Sequence, residues 1–369
     1  MSKPELVHDY RRLFLEDVPL LDVRAPVEFQ QGAFPHAVNL PLMNDAERHA
    51  VGIEYKQAGQ DAAIRLGHQL VSGDTKAARI EQWAGFARQH PDGIVYCFRG
   101  GLRSQIAQQW LAEAGFPRPR VAGGYKAMRQ FLISTLEDRV SQSTFKVVGG
   151  LTGTGKTDVI AALTASVDLE GLAKHRGSSF GGRVERQPAQ IDFENALAIS
   201  LLRHEEAGRQ TLAIEDEAHL IGRCALPLVL RQQTKQSDLI WVTASLPDRV
   251  ARIRRDYIES LAQDYIDSFG ETEGFTRFEQ HLNRSLYNLR KRLGMQRYVE
   301  LNDRLQLALK AQLNGGGFEL HHDWIEPLLT DYYDPMYEYQ RKQRQVQTVF
   351  EGSVKEVVAY LRERTSGTG

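Results

Sequence analysis

The sequence contains few cysteines and no long apolar run. Its two cysteines, Cys97 and Cys224, lie far apart and give no disulfide framework of the kind that holds small secreted domains together. No apolar stretch approaches the roughly 18 residues of a membrane span. Residues 1–5 lack the apolar core of a signal peptide. We therefore expect a cytoplasmic protein without a membrane partner.

An excess of charge of either sign is also missing. The 369 residues include 46 Lys and Arg against 47 Asp and Glu, a formal net charge of −1. A chain of this length can form two or three cores. Any nucleic acid must be bound by a local cluster of cations, because the total charge attracts none. The candidate clusters are 290–292, 341–344 and a group that can equally be a solvated helix face, Arg249, Arg252, Arg254 and Arg255.

The most informative stretch, Phe145 to Thr157, lies near the middle of the chain. A short apolar run leads into G-x-x-x-x-G-K-T, and a helix-compatible segment follows. This order is the context of a phosphate-binding loop, in which backbone N–H groups and the helix N-terminus face anionic oxygens. The alternative is a glycine-rich turn that binds nothing. The candidate diphosphate-binding residues are Gly150, Gly153, Thr154, Gly155, Lys156 and Thr157.

Acidic residues follow a second apolar run, Thr211 to Ile214. The pattern predicts a strand that ends in carboxylates, where a phosphate-loop enzyme keeps a magnesium ligand. Glu215 and Asp216 are the candidate carboxylates, and Thr157 with Asp216 are the candidate magnesium ligands. The alternative is that the carboxylates only end the strand.

Short apolar runs alternate with helical segments before the phosphate loop. The pattern predicts strands at 20–24, 37–41, 93–97 and 120–124, with helices at 25–31, 44–90 and 103–114. This alternation predicts a parallel sheet with functional residues at the C-terminal ends of its strands. Cys97 lies at such an end. A polar stretch, 137–144, is expected to separate this unit from the phosphate loop, and 248–313 is expected to be almost wholly helical.

The segment from Cys97 to Ser104 places a cysteine after a strand and an arginine, Arg103, where a helix begins. Loop amides that curl around the sulfur favour the thiolate and bind an oxyanion, which Arg103 can grip with two N–H groups. The alternative is a buried structural cysteine, which is our interpretation of Cys224. The candidate catalytic residue is Cys97, and the candidate oxyanion loop is Arg99, Gly100, Gly101, Leu102, Arg103 and Ser104.

Several stretches of the first part of the chain together resemble a rhodanese domain. They are Asp22-Val23-Arg24, Glu28-Phe29, Gly32 to Pro41 and the Cys97 loop. The resemblance implies that the loop cysteine carries sulfur or selenium, and that Asp22, Arg24 and Glu28 form structural ion pairs. The C-x5-R spacing is one residue longer than in the common sulfurtransferase loop. It is similar to that of rhodanese-like phosphatases and arsenate reductases, which suits a phosphate-bearing donor.

A rhodanese domain followed by a phosphate-loop domain resembles the tRNA 2-selenouridine synthase family over nearly the whole chain. The matching stretches include 40–44, 99–104, 123–126, 175–178, 215–217 and 332–337. The family implies a tRNA substrate with 2-thiouridine at the wobble position. Its sulfur is alkylated by geranyl diphosphate, and the S-geranyl group is then replaced by selenium from selenophosphate. A selenophosphate-producing enzyme is a candidate partner, magnesium is a candidate ion, and no tightly bound cofactor is implied.

The resemblance also implies an architecture. We expect an α/β protein with a rhodanese-like parallel-sheet domain at 8–134 and a P-loop α/β domain with an arginine-rich helical segment at 143–313. A helical C-terminal extension at 318–369 is expected to pack on the P-loop domain. Its Trp324 and the tyrosines from Tyr332 to Tyr339 are either core residues or the wall of a geranyl slot.

Other classes of function remain open from the sequence. A P-loop kinase or ATPase with a regulatory rhodanese domain would prefer a purine nucleotide. A phosphatase or arsenate reductase built on the Cys97 loop would leave most of the chain unexplained. An RNA-binding protein without catalytic activity would not need a cysteine in an oxyanion-binding loop.

Overall fold

A computed structural model describes residues 5–344 and 346–365. The contacts divide the chain into unit 1, residues 1–137 with 189–203, and unit 2, residues 138–188 with 204–369. The last four residues of the predicted C-terminal extension, 366–369, lie outside the described residues, as do the first four of the N-terminal stretch.

Unit 1 contains a five-stranded parallel sheet in the order β1-β5-β4-β2-β3. The predicted parallel sheet is therefore confirmed. The sequence missed the first strand, which is only two residues long and shows no alternation. The strands are β1 Leu6–Val7, β2 Leu20–Asp22, β3 Ala37–Asn39, β4 Ile94–Tyr96 and β5 Arg120–Val121.

Six helices belong to the first part of the chain. Gly59, with a φ of 83°, bends the long third helix near the predicted turn. The sixth helix runs through most of the predicted separator, 137–144, and the boundary between the two units falls within that stretch, between residues 137 and 138. In this helix, Leu132, Leu136 and Val140 are buried and lie four residues apart, so they form one apolar stripe among polar residues. The helices are α1 Tyr10–Leu15, α2 Pro26–Gln31, α3 Asp45–Leu70, α4 Gly73–Gln89, α5 Leu102–Glu113 and α6 Gly124–Gln142.

Unit 2 contains a second five-stranded parallel sheet, in the order β12-β11-β6-β8-β7. Its edge strand Thr348–Gly352 corrects the expectation that the C-terminal extension is only helical. Half-buried and exposed residues alternate along this strand, and its pairing with β11 is a contact between distant segments that local patterning does not reveal. The strands are β6 Thr144–Gly150, β7 Ser166–Val167, β8 Thr211–Glu215, the antiparallel pair β9 Leu220–Ile221 and β10 Cys224–Ala225, β11 Asp238–Val242 and β12 Thr348–Gly352.

Helices dominate the rest of unit 2, as the sequence predicted for 248–313. Gly270 and Gly294 separate the helices there, with φ near 80°. Two π-helical turns, Arg255–Glu259 and Leu329–Tyr333, and a 3-10 turn, Glu319–His321, interrupt the series. The remaining helices of the chain are α7 Lys156–Ala161, α8 Leu169–Leu172, α9 Gln190–Glu206, α10 Leu228–Lys235, α11 Leu246–Arg254, α12 Ser260–Phe269, α13 Glu271–Leu293, α14 Met295–Leu313, α15 His322–Leu328, α16 Asp334–Gln343 and α17 Val354–Thr365.

Most of α9 belongs to unit 1, although the sequence places it in the predicted P-loop range. Asp192 accepts a hydrogen bond from the backbone N–H of Ala33 at 2.6 Å, and Asn195 donates to the carbonyl of Ala33 at 2.8 Å. Arg129 donates to Asn195 at 2.7 Å. These long-range contacts give unit 1 a segment that lies far from it in the sequence.

Candidate active site

The phosphate loop joins β6 to α7. Gly153 and Gly155 have φ of 82° and 93°, a region that residues with a side chain rarely adopt. A Cβ atom on Gly153 would lie 2.9 Å from the carbonyl oxygen of Arg249. The hydroxyl of Thr154 closes the turn by donating to the carbonyl of Leu151 at 2.9 Å. The tight loop that the sequence predicted is therefore present.

Lys156 is half-buried over this loop. Its Nζ donates to the carbonyl oxygens of Gly150 at 3.0 Å and Leu151 at 3.3 Å, and lies 5.5 Å from the centre of the Tyr337 ring. Carbonyl oxygens are neutral partners, so the ammonium group can exchange them for the oxygens of an anionic ligand.

A cavity of about 240 Å³ lies against the loop. Arg252 forms part of its wall and donates to the carbonyl of Gly153 at 2.7 Å and to Asp158 at 3.1 Å. This arrangement is suited to a phosphorylated ligand, because charges of both signs surround it and positive groups predominate. The cations of the wall are Lys156, Arg176, Arg183, Arg252 and Arg255, and the carboxylates are Asp158, Glu170, Glu217 and Asp256.

The carboxylate that contacts the phosphate loop is Glu170. The Thr157 hydroxyl donates to Glu170 at 3.2 Å, and the backbone N–H of Glu170 donates to Glu215 at 3.0 Å. Asp216 forms an ion pair with Arg344 at 3.1 Å. The predicted combination of Thr157 with Asp216 as magnesium ligands stays a prediction.

Two acidic side chains at the end of β8 have strongly perturbed pKa values. Burial, followed by repulsion from Glu170, raises the pKa of Glu215 well above its usual value. The same two causes raise the pKa of Glu217 to about 8. A Cβ atom on Gly177 would lie 2.3 Å from Oε1 of Glu217, so this loop allows Glu217 a close approach only because residue 177 is glycine.

Two further carboxylates near Thr157, Glu170 and Glu215, are also suited to a magnesium ion. Magnesium is usually bound by one or two carboxylates together with phosphate oxygens. The Thr157 hydroxyl and Glu170 are adjacent, and Oε1 of buried Glu215 has no hydrogen-bond partner within the described part of the chain. Over residues 5–344 and 346–365, no three His, Cys, Asp or Glu side chains are grouped to hold a metal ion. A phosphorylated ligand would therefore have to complete the coordination.

The four arginines of the predicted basic cluster at 249–255 have different surroundings. Arg249 is buried, donates to the carbonyl of Thr152 at 2.8 Å and pairs with Asp334, so it is structural. Arg254 pairs with Glu259 at 2.8 Å. Only Arg252 and Arg255 of this cluster line the phosphate cavity.

The aromatic residues of the C-terminal segment lie partly in the core of unit 2 and partly outside it. Trp324 and Tyr333 belong to the apolar core of unit 2. The cavity beside them is only about 20 Å³, far smaller than a geranyl chain. Tyr337 instead lines the phosphate cavity, and Tyr339 is 65% exposed.

A groove of about 700 Å³ adjoins the phosphate cavity, and Glu217 and Tyr337 line both. The guanidinium of Arg341 lies 4.4 Å from the centre of the Trp241 ring, and Tyr339 is exposed on the groove wall. Trp241 is buried, so Tyr339 is the exposed ring, and an exposed aromatic ring beside cations is typical of surfaces that bind single-stranded nucleic acid. The cationic residues of the groove are Arg231, Lys235, Arg341 and Arg344.

The Cys97 loop of unit 1 follows β4 and leads into α5. Cys97 is buried, and its sulfur lies 3.2 Å from the Ser104 hydroxyl. The carbonyl oxygens of Cys97 and Phe98 accept hydrogen bonds from the backbone N–H groups of Tyr125 and Lys126, both at 2.9 Å. The 123–126 turn thus holds the loop carbonyls.

Glycines permit the close packing of this turn on the Cys97 loop. A Cβ atom on Gly124 would lie 2.2 Å from the carbonyl oxygen of Cys97, and Gly124 has a φ of 58°. Gly100, with a φ of 63°, is packed against Gly123. The sequence stretches around Gly100 and Gly124 are therefore parts of one site.

The ion pairs implied by the rhodanese resemblance are present. Arg24 and Asp22 are buried and joined at 2.6 Å. Glu28 pairs with Arg103 at 2.6 Å and Arg48 at 3.1 Å. Although burial opposes it, the hydrogen bond and charge of Arg103 lower the pKa of Glu28. Arg103 is thus held beside the loop by a carboxylate, whereas Arg99 is exposed.

Comparison with known proteins identifies both domains. A family model described as the tRNA 2-selenouridine synthase AAA domain matches residues 143–368, and the rhodanese-like domain model matches residues 7–130. The chain belongs to the tRNA 2-selenouridine synthase family. The predicted fold class, a rhodanese-like domain followed by a P-loop domain, is confirmed.

Relatives named tRNA 2-selenouridine synthase match the chain over nearly its full length. The protein of Pseudomonas syringae pv. syringae strain B728a is 54% identical over 97% of this chain and 98% of the relative. That of Cupriavidus necator strain H16 is 55% identical over 98% of each chain. That of Azotobacter vinelandii strain DJ is 56% identical over 97% of each.

In this tRNA 2-selenouridine synthase family member, sequence reasoning missed Glu170, Glu217 and Arg183. Glu170 lies in a single helical turn, and no spacing marks it as a neighbour of Thr157. Glu217 directly follows the two predicted carboxylates, Glu215 and Asp216, and only its place in this acidic run indicated a role for it. The predicted roles of Cys97, its loop and the phosphate-loop residues stay predictions.

Proposed function

We propose that the protein converts 2-thiouridine at the wobble position of tRNA into 2-selenouridine. The proposed first step is S-geranylation by geranyl diphosphate, and the second replaces the S-geranyl group with selenium from selenophosphate. The observation that carries the proposal is the presence, in one chain of this family, of a phosphate-loop cavity lined by cations and a rhodanese loop with a cysteine.

In the first step the phosphate loop binds the diphosphate group. Lys156 and Arg252 neutralise the charge that develops as the allylic carbon–oxygen bond breaks, and diphosphate leaves with the bonding electrons. The sulfur of 2-thiouridine forms the new bond to carbon. Alkylation makes this sulfur a good leaving group for the second step, because it can then depart as a thiol.

S-Alkylation of 2-thiouridine also requires that the N3 proton be lost. Glu217 is the base that accepts it, because this carboxylate lines both the phosphate cavity and the adjoining groove. A base with a pKa of about 8 is suited to proton transfer near neutral pH. The proton moves to the carboxylate of Glu217 as the sulfur–carbon bond forms.

The Thr157 hydroxyl, Glu170 and Glu215 are the residues that would hold magnesium. When bound, the ion would neutralise part of the charge of the diphosphate. Glu170 positions the Thr157 hydroxyl whether or not the ion is present, through the hydrogen bond that joins them.

The groove beside the phosphate cavity binds the anticodon loop of the tRNA. Bases of the loop stack on Tyr339, and the cations of the groove contact the phosphates. This assignment selects the predicted basic cluster 341–344, because Arg341 and Arg344 line the groove.

In the second step the Cys97 loop binds selenophosphate and presents selenium to C2 of the modified base. The selenium–phosphorus bond is hydrolysed, with water supplying an oxygen of the phosphate. The carbon–selenium bond forms, the carbon–sulfur bond breaks and geranylthiol leaves. The two protons of hydrogen selenide go to N3 and to the thiol. Cys97 and the amides of its loop hold the donor during this exchange.

Reconstitution with the full chain tests the proposal. The protein is incubated with tRNA that carries 2-thiouridine, geranyl diphosphate and selenophosphate, and the nucleosides of digested tRNA are identified by mass spectrometry. We expect S-geranyl-2-thiouridine without selenophosphate and 2-selenouridine with it. A parallel measurement compares the melting temperature with geranyl diphosphate, selenophosphate, ATP and GTP. Stabilisation by ATP or GTP alone, without either nucleoside product, would favour a kinase or ATPase.

A further inference from the structure

An apolar cavity of about 420 Å³ lies in unit 1 between α3 and α5. Its wall is formed by Val51, Ala63 and Ile64 of α3 and by Ile106 and Trp110 of α5. The kink at Gly59 divides α3, so residues on both sides of the bend contribute to the wall. The assigned reaction at the Cys97 loop does not by itself explain an apolar cavity of this size.

The cavity adjoins the Cys97 loop. Leu102 and Arg103, which belong to the predicted oxyanion loop, form part of its wall. Other wall residues, Leu42 and Val71, belong to the same apolar cluster as Cys97. An occupant of the cavity would therefore extend towards the segment that carries the cysteine.

Large apolar side chains are exposed at the cavity although no protein segment covers them within the described part of the chain. Tyr55 is 57% exposed and Leu102 is 45% exposed, and both line the cavity. Because both side chains lie on the wall of one apolar cavity, they form part of a contiguous apolar surface, and such surfaces are a feature of ligand-binding grooves.

The volume is sufficient for a chain of ten carbons. A cavity of about 150 Å³ holds a six-carbon benzene ring, so a ten-carbon chain needs about 250 Å³ on the same scale. The cavity of about 420 Å³ exceeds this requirement. The cavity of about 20 Å³ beside Trp324 does not.

We propose that the cavity between α3 and α5 binds the prenyl chain of S-geranyl-2-thiouridine while the Cys97 loop replaces its sulfur with selenium. The proposal rests on the proposed function, since the S-geranyl base is an intermediate of that reaction. Binding of the chain places the C2–S bond at the selenium donor. It predicts that the second step selects prenylated tRNA over tRNA with a small S-alkyl group.

The test compares two RNA substrates that differ only in the S-alkyl group. Anticodon stem-loop RNA with S-geranyl-2-thiouridine or S-methyl-2-thiouridine is incubated with the full-length protein and selenophosphate, and 2-selenouridine is measured over time. For the natural chain we expect kcat/KM to be at least about tenfold higher with S-geranyl RNA, a difference of roughly 1.4 kcal/mol.

Filling the cavity should remove this preference. In Ala63→Phe the new ring occupies the cavity, and we expect the ratio of the two rates to fall to about one. Ala58→Phe is the matched control, because Ala58 is exposed on the same helix and does not line the cavity. We expect this control to keep the preference of the natural chain. Val51→Trp serves as a second filling variant if a melting curve shows that Ala63→Phe does not fold.

The outcomes separate this inference from the proposed function. If the natural chain forms no 2-selenouridine from either RNA, the proposed function fails, and the inference fails with it. Equal rates with both RNAs would overturn the inference and leave the proposed function intact. Retention of the preference in two folded filling variants would likewise overturn it. If the natural chain forms dimers that the filling variants lose, while the preference is unchanged, the cavity binds a second copy instead.

Discussion

The hydroxyl of Thr157 donates a hydrogen bond to Glu170 across 3.2 Å. Glu170 in turn is joined through its backbone N–H to Glu215 at the end of β8. A carboxylate from a one-turn helix thus links the phosphate loop to the neighbouring strand. The predicted partner of Thr157, Asp216, is paired with Arg344.

Glu170→Ala should weaken the effect of magnesium on binding of geranyl diphosphate. Magnesium is expected to tighten binding to the natural chain about tenfold, or roughly 1.4 kcal/mol, and to the variant much less. Isothermal titration with and without magnesium measures the difference. Glu300→Ala, at an exposed position of α14, is the control. An unchanged magnesium effect in Glu170→Ala would remove Glu170 from the ion site.

Lys156→Ala should abolish most geranylation, because a diphosphate in the cavity would lose its principal cation. We expect the rate of the chemical step to fall by about two to three orders of magnitude. Single-turnover formation of S-geranyl-2-thiouridine measures it. Lys56→Ala, an exposed lysine on α3, should keep the natural rate. Near-normal transfer by Lys156→Ala would contradict the assignment of the phosphate loop to the prenyl donor.

The geranylation rate should depend on pH through Glu217. The carboxylate accepts a proton only when it is ionised, so the rate should rise with pH and level off above the pKa of about 8. Glu217→Gln should be slower by about 10²- to 10⁴-fold, the usual contribution of a general base, and should lose this pH dependence. A variant that keeps the pH profile would exclude Glu217 as the base.

The pH dependence of the unfolding free energy tests the raised pKa of Glu217 independently. The raised pKa means that the folded chain binds this proton more tightly than the unfolded chain does. The stabilisation due to Glu217 is therefore complete below the ordinary Glu pKa and is lost as pH rises towards about 8. Glu217→Gln should reduce the fall in unfolding free energy over that interval, as measured by urea unfolding at several pH values.

Tyr339→Ala should weaken tRNA binding by about 5- to 150-fold, the equivalent of about 1–3 kcal/mol for one stacked base. Tyr287→Ala is the matched control, since Tyr287 is an exposed tyrosine beside Arg290 in a different basic cluster. Fluorescence anisotropy at several salt concentrations measures both. We expect affinity to fall steeply with salt, and Lys235→Ala to reduce the salt slope by about one. If Tyr287→Ala lost more tRNA affinity than Tyr339→Ala, the tRNA site would be assigned to the 290–292 cluster instead.

Cys97→Ser should separate the two half-reactions. A hydroxyl is much less acidic than a thiol and holds selenium poorly, so the second step should stall. Geranylation should continue, and S-geranyl-2-thiouridine should accumulate in the nucleoside digest. Cys224→Ser, at a buried cysteine that we assign no role, is the control. Normal 2-selenouridine formation by Cys97→Ser would remove Cys97 from the mechanism. A melting curve of the variant would show whether a loss of 2-selenouridine formation is due to unfolding.

The sequence alone determined the features that depend on consecutive residues. The phosphate loop was predictable because eight adjacent residues specify both its left-handed glycines and the start of its helix. The Cys97 loop and the strands that precede both loops were predictable for the same reason. The parallel sheets followed from the alternation of strands with helices, which allows few other arrangements.

Only the tertiary structure decided which distant groups meet. Glu170 contacts Thr157, α9 joins unit 1 through Ala33, and Thr348–Gly352 becomes a sheet edge. Packing of distant segments also pairs Arg249 with Asp334 and places Tyr337 beside Lys156. No local pattern encodes these pairings, because each one depends on how segments remote in the sequence are packed. The sequence also does not show whether the partner of a carboxylate or an arginine is solvent, a buried ion or a ligand.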